Sequence, residues 1–504
     1  MSEAAVLNRV RPGFYLDSVA LMRHSQAVAA LPGVETAAMM IGSESNKGIM
    51  EDAGLLADEG RGAEPNDLII AVRAESAETG EAALTEAEAL LDRPAAAGGE
   101  AGAWNPKSLE TALETLAGAN LALISVPGEF AADEARKALA KGLHVMIFSD
   151  NVTIEDERAL KEEARRRGLL VMGPDCGTAI IGGVPLAFAN EVPRGAIGLV
   201  SASGTGLQEV SCLIARGGKG VSHGIGVGGR DLGDKVGGLM TLMAIDALDA
   251  DARTKHIVVI SKPPSDAVAK TVLARVAESP KTFTICFLGL DTIDLPENAV
   301  LAPTLEAAAA EALGNPLSEL SPDEEAKAAE KAKGMDVGRR WIRALFAGGT
   351  MCAETQVIFR AAGQNILSNV PIPGALPLVD AIAGHSAIDL GADEYPVGRP
   401  HPMIEPAVRN DELEVALAEP DAAVILLDMV IGHGAHADPA GDLADVLKGA
   451  KSGGPVVIAS VTGTEDDPQV YSEQIVKLRM AGVMVAPSNA RATALALAIV
   501  GHLA

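Results

Sequence analysis

The feature that most constrains this chain is a strand that runs through a Gly/Ser/Thr-rich turn into a helix, and it occurs three times. In the first copy, residues 196–209 (AIGLVSASGTGLQE), small and β-branched residues predict a buried strand and the residues after the turn have helical spacing. Residues 341–354 (WIRALFAGGTMCAE) repeat the pattern, and residues 422–443 repeat it after a longer apolar strand. Strands that alternate with helices in this way predict α/β domains with parallel sheets.

Each of these turns is suited to hold an anion, because the first N–H groups of a helix lack an intrahelical partner and the helix dipole adds about 0.3–1 kcal/mol. Glycines let a ligand approach the backbone, and Ser or Thr hydroxyls cap the helix or donate to the ligand. One copy alone is also typical of an ordinary strand-to-helix turn, whereas three copies favour a shared anion site. The predicted phosphate-binding residues are Ser201, Ser203, Gly204, Thr205, Gly206, Gly348, Gly349, Thr350, Gly432 and Gly434.

The composition limits the partners of the chain. Its 504 residues carry a net charge of −27, which argues against nucleic acid and against a membrane surface as partners. The four cysteines are widely spaced and form no CxxC pair, so the sequence supports neither a disulfide framework nor a metal site. Without an 18-residue apolar run or a signal peptide, the sequence predicts a soluble cytoplasmic protein.

The order of predicted strands and helices divides the chain into four domains. Residues 1–95 predict a small ferredoxin-like or ACT-like α/β module, and a Pro/Ala/Gly-rich linker follows it. Residues 104–192 predict a Rossmann-like domain without a GxGxxG turn, so a dinucleotide is poorly supported there. Residues 193–314 and 340–504 predict two duplicated flavodoxin-like domains, joined at residues 315–339 by a charged linker with a short helix.

Three motifs resemble the α subunit of succinyl-CoA synthetase: GPDCGT at 173–178, AIGLVSASGTGLQEV at 196–210 and GIGVGGRDLGD at 224–234. Residues 340–504 resemble the C-terminal domain of the β subunit of that enzyme. The resemblance implies a Rossmann-like domain of the CoA-binding type followed by two ligase-type flavodoxin-like domains.

The whole chain, and above all IDLGADEYPVGRPHPMIEP at 388–406 and GHGAHADPAG at 432–441, resembles the FdrA family more closely. That resemblance implies the large subunit of an oxamate carbamoyltransferase of allantoin breakdown, which works with two other subunits on oxalurate, phosphate, oxamate and carbamoyl phosphate. Phosphate is then the expected co-substrate, with CoA or a nucleotide as alternatives, and a homo-oligomer is expected. Two other hypotheses stay open: an acyl-CoA synthetase or CoA-binding subunit, and a non-catalytic scaffold.

The sequence departs from the synthetase where that enzyme carries its phosphorylated histidine. The corresponding stretch, residues 289–304, contains no histidine, and the place of the supporting glutamate reads ISKPPS at 260–265. A phosphate-binding fold without the phosphohistidine favours direct phosphorolysis over ligase chemistry.

Four further residues are candidates for the chemistry. His433 and His436 lie beside the third turn, where either would donate to an oxyanion or protonate the departing nitrogen; the alternative is that both only cap the helix. Arg399 is suited to bind a substrate carboxylate together with His401, and an interface or a salt bridge to Asp393 or Glu394 is the alternative.

Overall fold

The computed structural model describes residues 4–16, 18–92, 106, 108–315, 319–379, 383–392, 395, 401–448 and 453–503. The expected linker at residues 93–103 and the candidate residues Asp393, Glu394 and Arg399 lie outside this part of the chain. The chain forms two compact units, of which the first includes the residues up to His144 and the second includes nearly all that follow.

The first unit contains a three-stranded antiparallel sheet in the order β1-β3-β2. The central strand is buried along almost its whole length, because its apolar side chains meet helices on one side and a smaller apolar cluster on the other. The elements of this unit are β1 (Ala5–Arg11), α1 (Ser18–Ala29), β2 (Val34–Ile41), α2 (Glu44–Asp52), α3 (Asp58–Arg61), β3 (Leu68–Ala74), α4 (Ala77–Asp92), α5 (Leu109–Thr115), β4 (Leu121–Ile124) and α6 (Gly128–Ala140).

The second unit begins with a short parallel pair and continues into a seven-stranded sheet. The elements that precede and form this sheet are β5 (His144–Ile147), α7 (Ile154–Arg167), β6 (Val171–Met172), β7 (Thr178–Ile181), β8 (Val184–Ala187), β9 (Arg194–Ser201), α8 (Gly204–Arg216), β10 (Val221–Gly226), α9 (Leu239–Ala250), β11 (His256–Ser261), α10 (Asp266–Ala277), β12 (Thr282–Phe287), β13 (Ala299–Leu301) and α11 (Leu305–Leu313).

The strand order of this sheet is β13-β12-β11-β9-β10-β7-β8, in which β9 to β13 are parallel and the β7–β8 hairpin is antiparallel. The five parallel strands, numbered along the chain, follow the flavodoxin order 2-1-3-4-5. The hairpin precedes residue 193, where the sequence places the domain boundary, and is nevertheless hydrogen-bonded into the sheet that follows.

A second seven-stranded sheet has the order β16-β15-β17-β14-β18-β19-β20, and its strand pairs are parallel. Its elements are α12 (Pro322–Lys333), β14 (Trp341–Phe346), α13 (Gly349–Ala361), β15 (Ile366–Ser368), β16 (Leu376–Pro377), β17 (His385–Asp389), α14 (Ala407–Ala418), β18 (Ala422–Val430), α15 (Pro439–Leu447), β19 (Val456–Thr462), α16 (Tyr471–Met480), β20 (Met484–Ala486) and α17 (Asn489–Gly501). Helix α12, which the sequence places in a linker, packs on α17 and buries Ala328 and Ala332.

The mixed α/β fold with parallel sheets that the sequence predicts is confirmed. In both flavodoxin-like domains the order of strands reverses beside the first strand, β9 in one and β14 in the other. Ligands of open α/β sheets bind at this reversal, outside the carboxyl ends of the strands. In the part of the chain that the structure describes, no helix has the length and apolar character needed to span a membrane.

Candidate functional site

The first two Gly-rich turns meet at these strand ends. Ser203 caps α8, and its hydroxyl accepts the N–H of Gly206 at 2.9 Å. The same hydroxyl is hydrogen-bonded to the hydroxyl of Thr350 in the first turn of α13. A Cβ atom at Gly348 would lie 3.0 Å from Thr205 Cγ2, so glycine permits the close approach of the two turns.

Both helix starts present unpaired amides. Among the described residues, no protein group accepts the N–H groups of Gly204 and Thr205 at the start of α8, or those of Gly349, Thr350 and Met351 at the start of α13. These amides are donors of the kind that bind phosphate at helix N-termini. The two starts bring together the turns at Ser203–Gly206 and Gly348–Thr350, where the sequence predicts an anion site, and anion binding there stays a prediction.

Two carboxyl groups border the second helix start. Asp428 on β18 accepts the N–H of Ala347 at 2.7 Å and that of Gly348 at 2.8 Å, so the amide of Gly348 is already used. Burial raises the pKa of Asp428 to about 6. Asp389, at the end of β17, lies beside Gly349. A Cβ atom added at Gly349 would be 2.4 Å from Asp389 Oδ2. The free amides at the start of α13 would therefore have to bind an anion close to the carboxyl groups of Asp428 and Asp389.

The third turn offers fewer donors than the sequence predicts. The N–H of Gly432 donates to Gln469 Oε1 at 2.9 Å, that of His433 to the Ala189 carbonyl at 2.9 Å, and that of His436 to the Met403 carbonyl at 2.9 Å. A Cβ at Gly434, whose φ is +80°, would lie 2.5 Å from the Phe188 ring. These bonds fix the third turn to three separate segments of the chain and leave the three amides unavailable to a ligand, which corrects the expectation of three equivalent turns.

The two candidate histidines have different surroundings. His433 is 44% exposed, and its Nε2 lies 2.8 Å from Glu191 Oε1. His436 is 20% exposed, its Nδ1 accepts the N–H of Asp438 at 3.2 Å, and its Nε2 lies 3.4 Å from Asp442. No hydrogen bond among the described residues joins either imidazole to Ser203 or Thr350.

His401 lies closer to the second helix start. Its Nδ1 accepts the N–H of Met403 at 3.2 Å, and a Cβ at Gly391 would lie 2.5 Å from its Nε2 and 3.0 Å from the Ala347 carbonyl. Burial lowers the pKa of His401 to about 4, so its imidazole is neutral at pH 7. Its expected partner Arg399 is outside the described residues, and the pairing stays a prediction.

The structure adds Arg409, a residue that the sequence reasoning missed. It lies in the first turn of α14, is 2% exposed, and directs Nη1 toward the Asp428 carbonyl at 3.4 Å. The stretch around it, AVRNDELEVALA, gives no signal that sets this arginine apart.

Burial decides the reactivity of Cys176, which the sequence places at the end of a strand. The pKa of Cys176 is raised to about 12 by burial, so its thiol is not a nucleophile at neutral pH. No group of three or more His, Cys, Asp or Glu side chains within the described ranges is arranged to hold a metal ion. Residues 4–106 contain no cysteine at all.

Two family models match the chain. The model for the AllF heavy metal-associated domain matches residues 4–106, and the CoA-ligase model matches residues 345–499. The second match includes α13 and the third turn.

Known proteins match the chain at two levels. The uncharacterised protein YahF of Escherichia coli is 40% identical over 494 residues, which cover 95% of this chain and 96% of YahF. The α subunit of the ADP-forming succinate–CoA ligase of Aquifex aeolicus is 31% identical over 151 residues, 29% of this chain and 48% of the subunit. The chain thus spans about half the length of that subunit.

Among solved structures, the dinucleotide-forming acetyl-coenzyme A synthetase 1 of Ca. Korarchaeum cryptofilum, in complex with phosphate and ADP, is 17% identical with a TM-score of 0.28. The match covers 76% of this chain and 82% of that one.

From its identity to YahF along nearly the full length of both proteins, the chain belongs to the YahF family, with an AllF-type N-terminal domain and a CoA-ligase domain.

Proposed function

We propose that the facing starts of α8 and α13 bind phosphate or the phosphoryl group of an acyl phosphate, and that the enzyme transfers an acyl-type group to or from it. The observation that carries this proposal is the hydrogen bond between Ser203 and Thr350, which brings two sets of unpaired amides together. Amides held by rigid helices need no reorganisation when charge develops, which is the main requirement for stabilising an oxyanion.

A CoA-ligase type of reaction is the form of this chemistry that the relatives support best. The CoA-ligase model includes the second helix start, and the relatives of the chain include α subunits of succinate–CoA ligases. In this form the chain would bind a carboxylic acid and an acyl phosphate and pass the acyl group to CoA. We expect further subunits to supply the nucleotide site.

Carbamoyl transfer is the second candidate, and one observation favours it. The loop between β12 and β13, residues 288–298, contains no histidine, so it offers no imidazole to phosphorylate. Phosphorolysis of oxalurate needs no phosphohistidine: a phosphate oxygen attacks the carbamoyl carbon, the C–N bond to the oxamate nitrogen breaks, and that nitrogen takes a proton. The resemblance to the FdrA family supports the same reaction.

Binding of phosphate to the purified full-length protein tests the shared part of the proposal. Isothermal titration with phosphate should show one site in the wild type and at least about tenfold weaker binding in Thr350→Val, which loses the hydroxyl and keeps the shape. Thr355→Val, on the same helix and hydrogen-bonded to Thr493 away from the helix start, is the matched control. Equal phosphate affinity in the three proteins would contradict the site.

The two forms of the reaction separate in one pair of assays. Carbamoyl phosphate and oxamate should yield phosphate and oxalurate if the second candidate holds, with no dependence on CoA. A carboxylic acid, ATP and CoA should yield ADP, phosphate and a thioester if the first holds. Both assays are run with the chain alone and with co-expressed neighbouring subunits, because the chain is proposed to work in a complex.

A further inference from the structure

Arg409 is a buried cation that forms no ion pair with a carboxylate among the described residues. It lies at the N-terminal end of α14, the helix that packs on β14 and β18 and starts at the edge of the sheet where those strands end. The guanidinium is 2% exposed, and its one hydrogen bond is a long contact, 3.4 Å from Nη1 to the Asp428 carbonyl. A buried charge that lacks a hydrogen-bonded partner is costly, so its presence calls for an explanation.

The free side of this guanidinium has a defined geometry. Both Nε and Nη2 are buried and have no hydrogen-bond partner among the described residues. These two nitrogens form one edge of the guanidinium, and their parallel N–H groups match the two oxygens of a carboxylate. The carboxylate of Asp428 forms no hydrogen bond with this edge, and its two oxygens accept the N–H groups of Ala347 and Gly348 instead.

Other polar groups around Arg409 are also incompletely paired. Glu405 Oε2 and Asn410 Oδ1 are buried and have no partner among the described residues. Glu405 interacts through space with His436 and Asp442, and Arg409 interacts through space with Asp442 and Asp428. The start of α14 and the third turn therefore share one polar region beside the second helix start.

We propose that the Nε–Nη2 edge of Arg409 binds a carboxylate of the small-molecule substrate, next to the phosphate site at α8 and α13. The inference rests on the proposed function, because it names the part of the substrate that stays unchanged while the acyl-type group is transferred. Oxamate carries such a carboxylate, and so does a dicarboxylic acid such as succinate. Asp428 connects the two subsites, since its carbonyl contacts Arg409 and its carboxylate holds Gly348.

Titration of the full-length protein with oxamate, succinate and phosphate in separate experiments tests the inference. Arg409→Lys keeps the charge and loses the two-nitrogen edge, so it should weaken binding of the carboxylate that the wild type prefers by about tenfold to one hundredfold. Phosphate affinity should stay within about twofold, because no atom of Arg409 belongs to the two helix starts. Arg343→Lys is the matched control: Arg343 is partly buried in the same domain but is paired with Glu419 at 2.6 Å.

The melting temperature gives a second readout. Arg409→Met removes a buried charge that has no direct ion pair in the described part of the chain, so without ligand the variant should melt at a higher temperature than the wild type, and oxamate or succinate should no longer stabilise it. The inference would be overturned if Arg409→Met melts at a lower temperature than the wild type and Arg409→Lys binds oxamate and succinate as the wild type does. It would also be overturned if the wild type binds neither oxamate nor succinate. Loss of phosphate binding by Thr350→Val is a separate result that bears on the proposed function alone.

Discussion

Glu209 and Glu354 occupy equivalent places in the two flavodoxin-like domains, and each carboxyl group reaches into the opposite domain. Each lies six residues after the N-cap of its helix, Ser203 for α8 and Gly348 for α13. Glu354 accepts the N–H of Leu305, the first residue of the last helix of the first domain, at 2.6 Å. Glu209 accepts the N–H of Asn489, the first residue of the last helix of the second domain, at 3.3 Å.

This exchange couples the two domains through buried acids. Asn489 Nδ2 also donates to Glu354 Oε2 at 2.7 Å, so Asn489 bonds Glu209 of the first domain through its backbone N–H and Glu354 of its own domain through its side chain. Burial raises the pKa of Glu354 to about 8, and it also raises the pKa of Glu209. The interface that aligns the two helix starts therefore holds at least one carboxyl group that is protonated at pH 7.

Replacing Glu354 with Gln should change how stability depends on pH. The pKa of Glu354 is about 8 in the folded protein and 4.5 in the unfolded chain. Between these two pH values, Glu354 therefore keeps a proton in the folded protein that it has lost in the unfolded chain. Wild-type stability should therefore fall as pH rises through this window, by up to about 1.4 kcal/mol per pH unit from this group. Glu354→Gln cannot titrate there, so urea denaturation at pH 5, 6, 7 and 8 should give a flatter curve.

The matched control is Glu311→Gln, an exposed residue on α11, the helix that Glu354 caps. It should leave the pH dependence of the wild type unchanged. Parallel curves for the wild type and Glu354→Gln between pH 5 and 8 would show that Glu354 is ionised in the folded protein.

Ser203→Ala separates capping from ligand binding. The hydroxyl of Ser203 caps α8, so its loss should destabilise the protein by about 1 kcal/mol. Ser265→Ala removes the cap of α10 in the same domain and should cost a similar amount. Only Ser203→Ala should also weaken phosphate binding in a calorimetric titration, because Ser265 is not at the facing helix starts. If both variants bind phosphate like the wild type, the hydroxyl of Ser203 serves the fold alone.

The sequence predicts the two parallel sheets because their central strands, such as β9 and β18, are long apolar runs that end in glycine-rich turns. It does not predict β7, β8, β15 or β16, which are two to four residues long. Strands this short have no periodicity of their own, and they form because a neighbouring strand offers free backbone groups. The sequence predicts a linker with a short helix at residues 315–339, and not a packed helix, because the charged residues of α12 hide the small apolar face formed by Ala328 and Ala332.

The sequence predicts those parts of the candidate site that a local sequence pattern determines. It does not predict the parts that depend on contacts between residues far apart in the chain. Ser203 and Thr350 share a motif, so their two helix starts stand out in the sequence. The third turn has the same local pattern, but its amides are consumed by Gln469, Ala189 and Met403, which are far away along the chain. Arg409 gives no local signal either, because what distinguishes it is burial without a partner.

Lys161→Met should destabilise the protein strongly. Lys161 is fully buried on α7, where Nζ donates to Glu157 at 2.7 Å, Asp231 at 2.9 Å and the Val227 carbonyl at 2.8 Å. Without the ammonium group, two buried carboxylates lose their shared counter-ion, which typically costs about 3–5 kcal/mol. Arg158→Met, on the same helix in an exposed pair with Glu162, should change the midpoint of thermal unfolding very little. Similar midpoints for both variants would mean that the buried cluster tolerates loss of the cation.

The last prediction distinguishes the two histidines of the third turn. His436 lies beside Asp442 and interacts with Glu405, within the polar region around Arg409, whereas His433 is exposed and paired with Glu191. A proton donor for the leaving nitrogen must lie within reach of the substrate, so His436→Ala should lower the rate of carbamoyl transfer by about 10²–10⁴-fold. His433→Ala should stay within a few-fold of the wild type, with circular dichroism confirming that both variants fold. Full activity of His436→Ala would assign the proton transfer to another group, and loss of activity in His433→Ala alone would place the reaction on the Glu191 side of the turn.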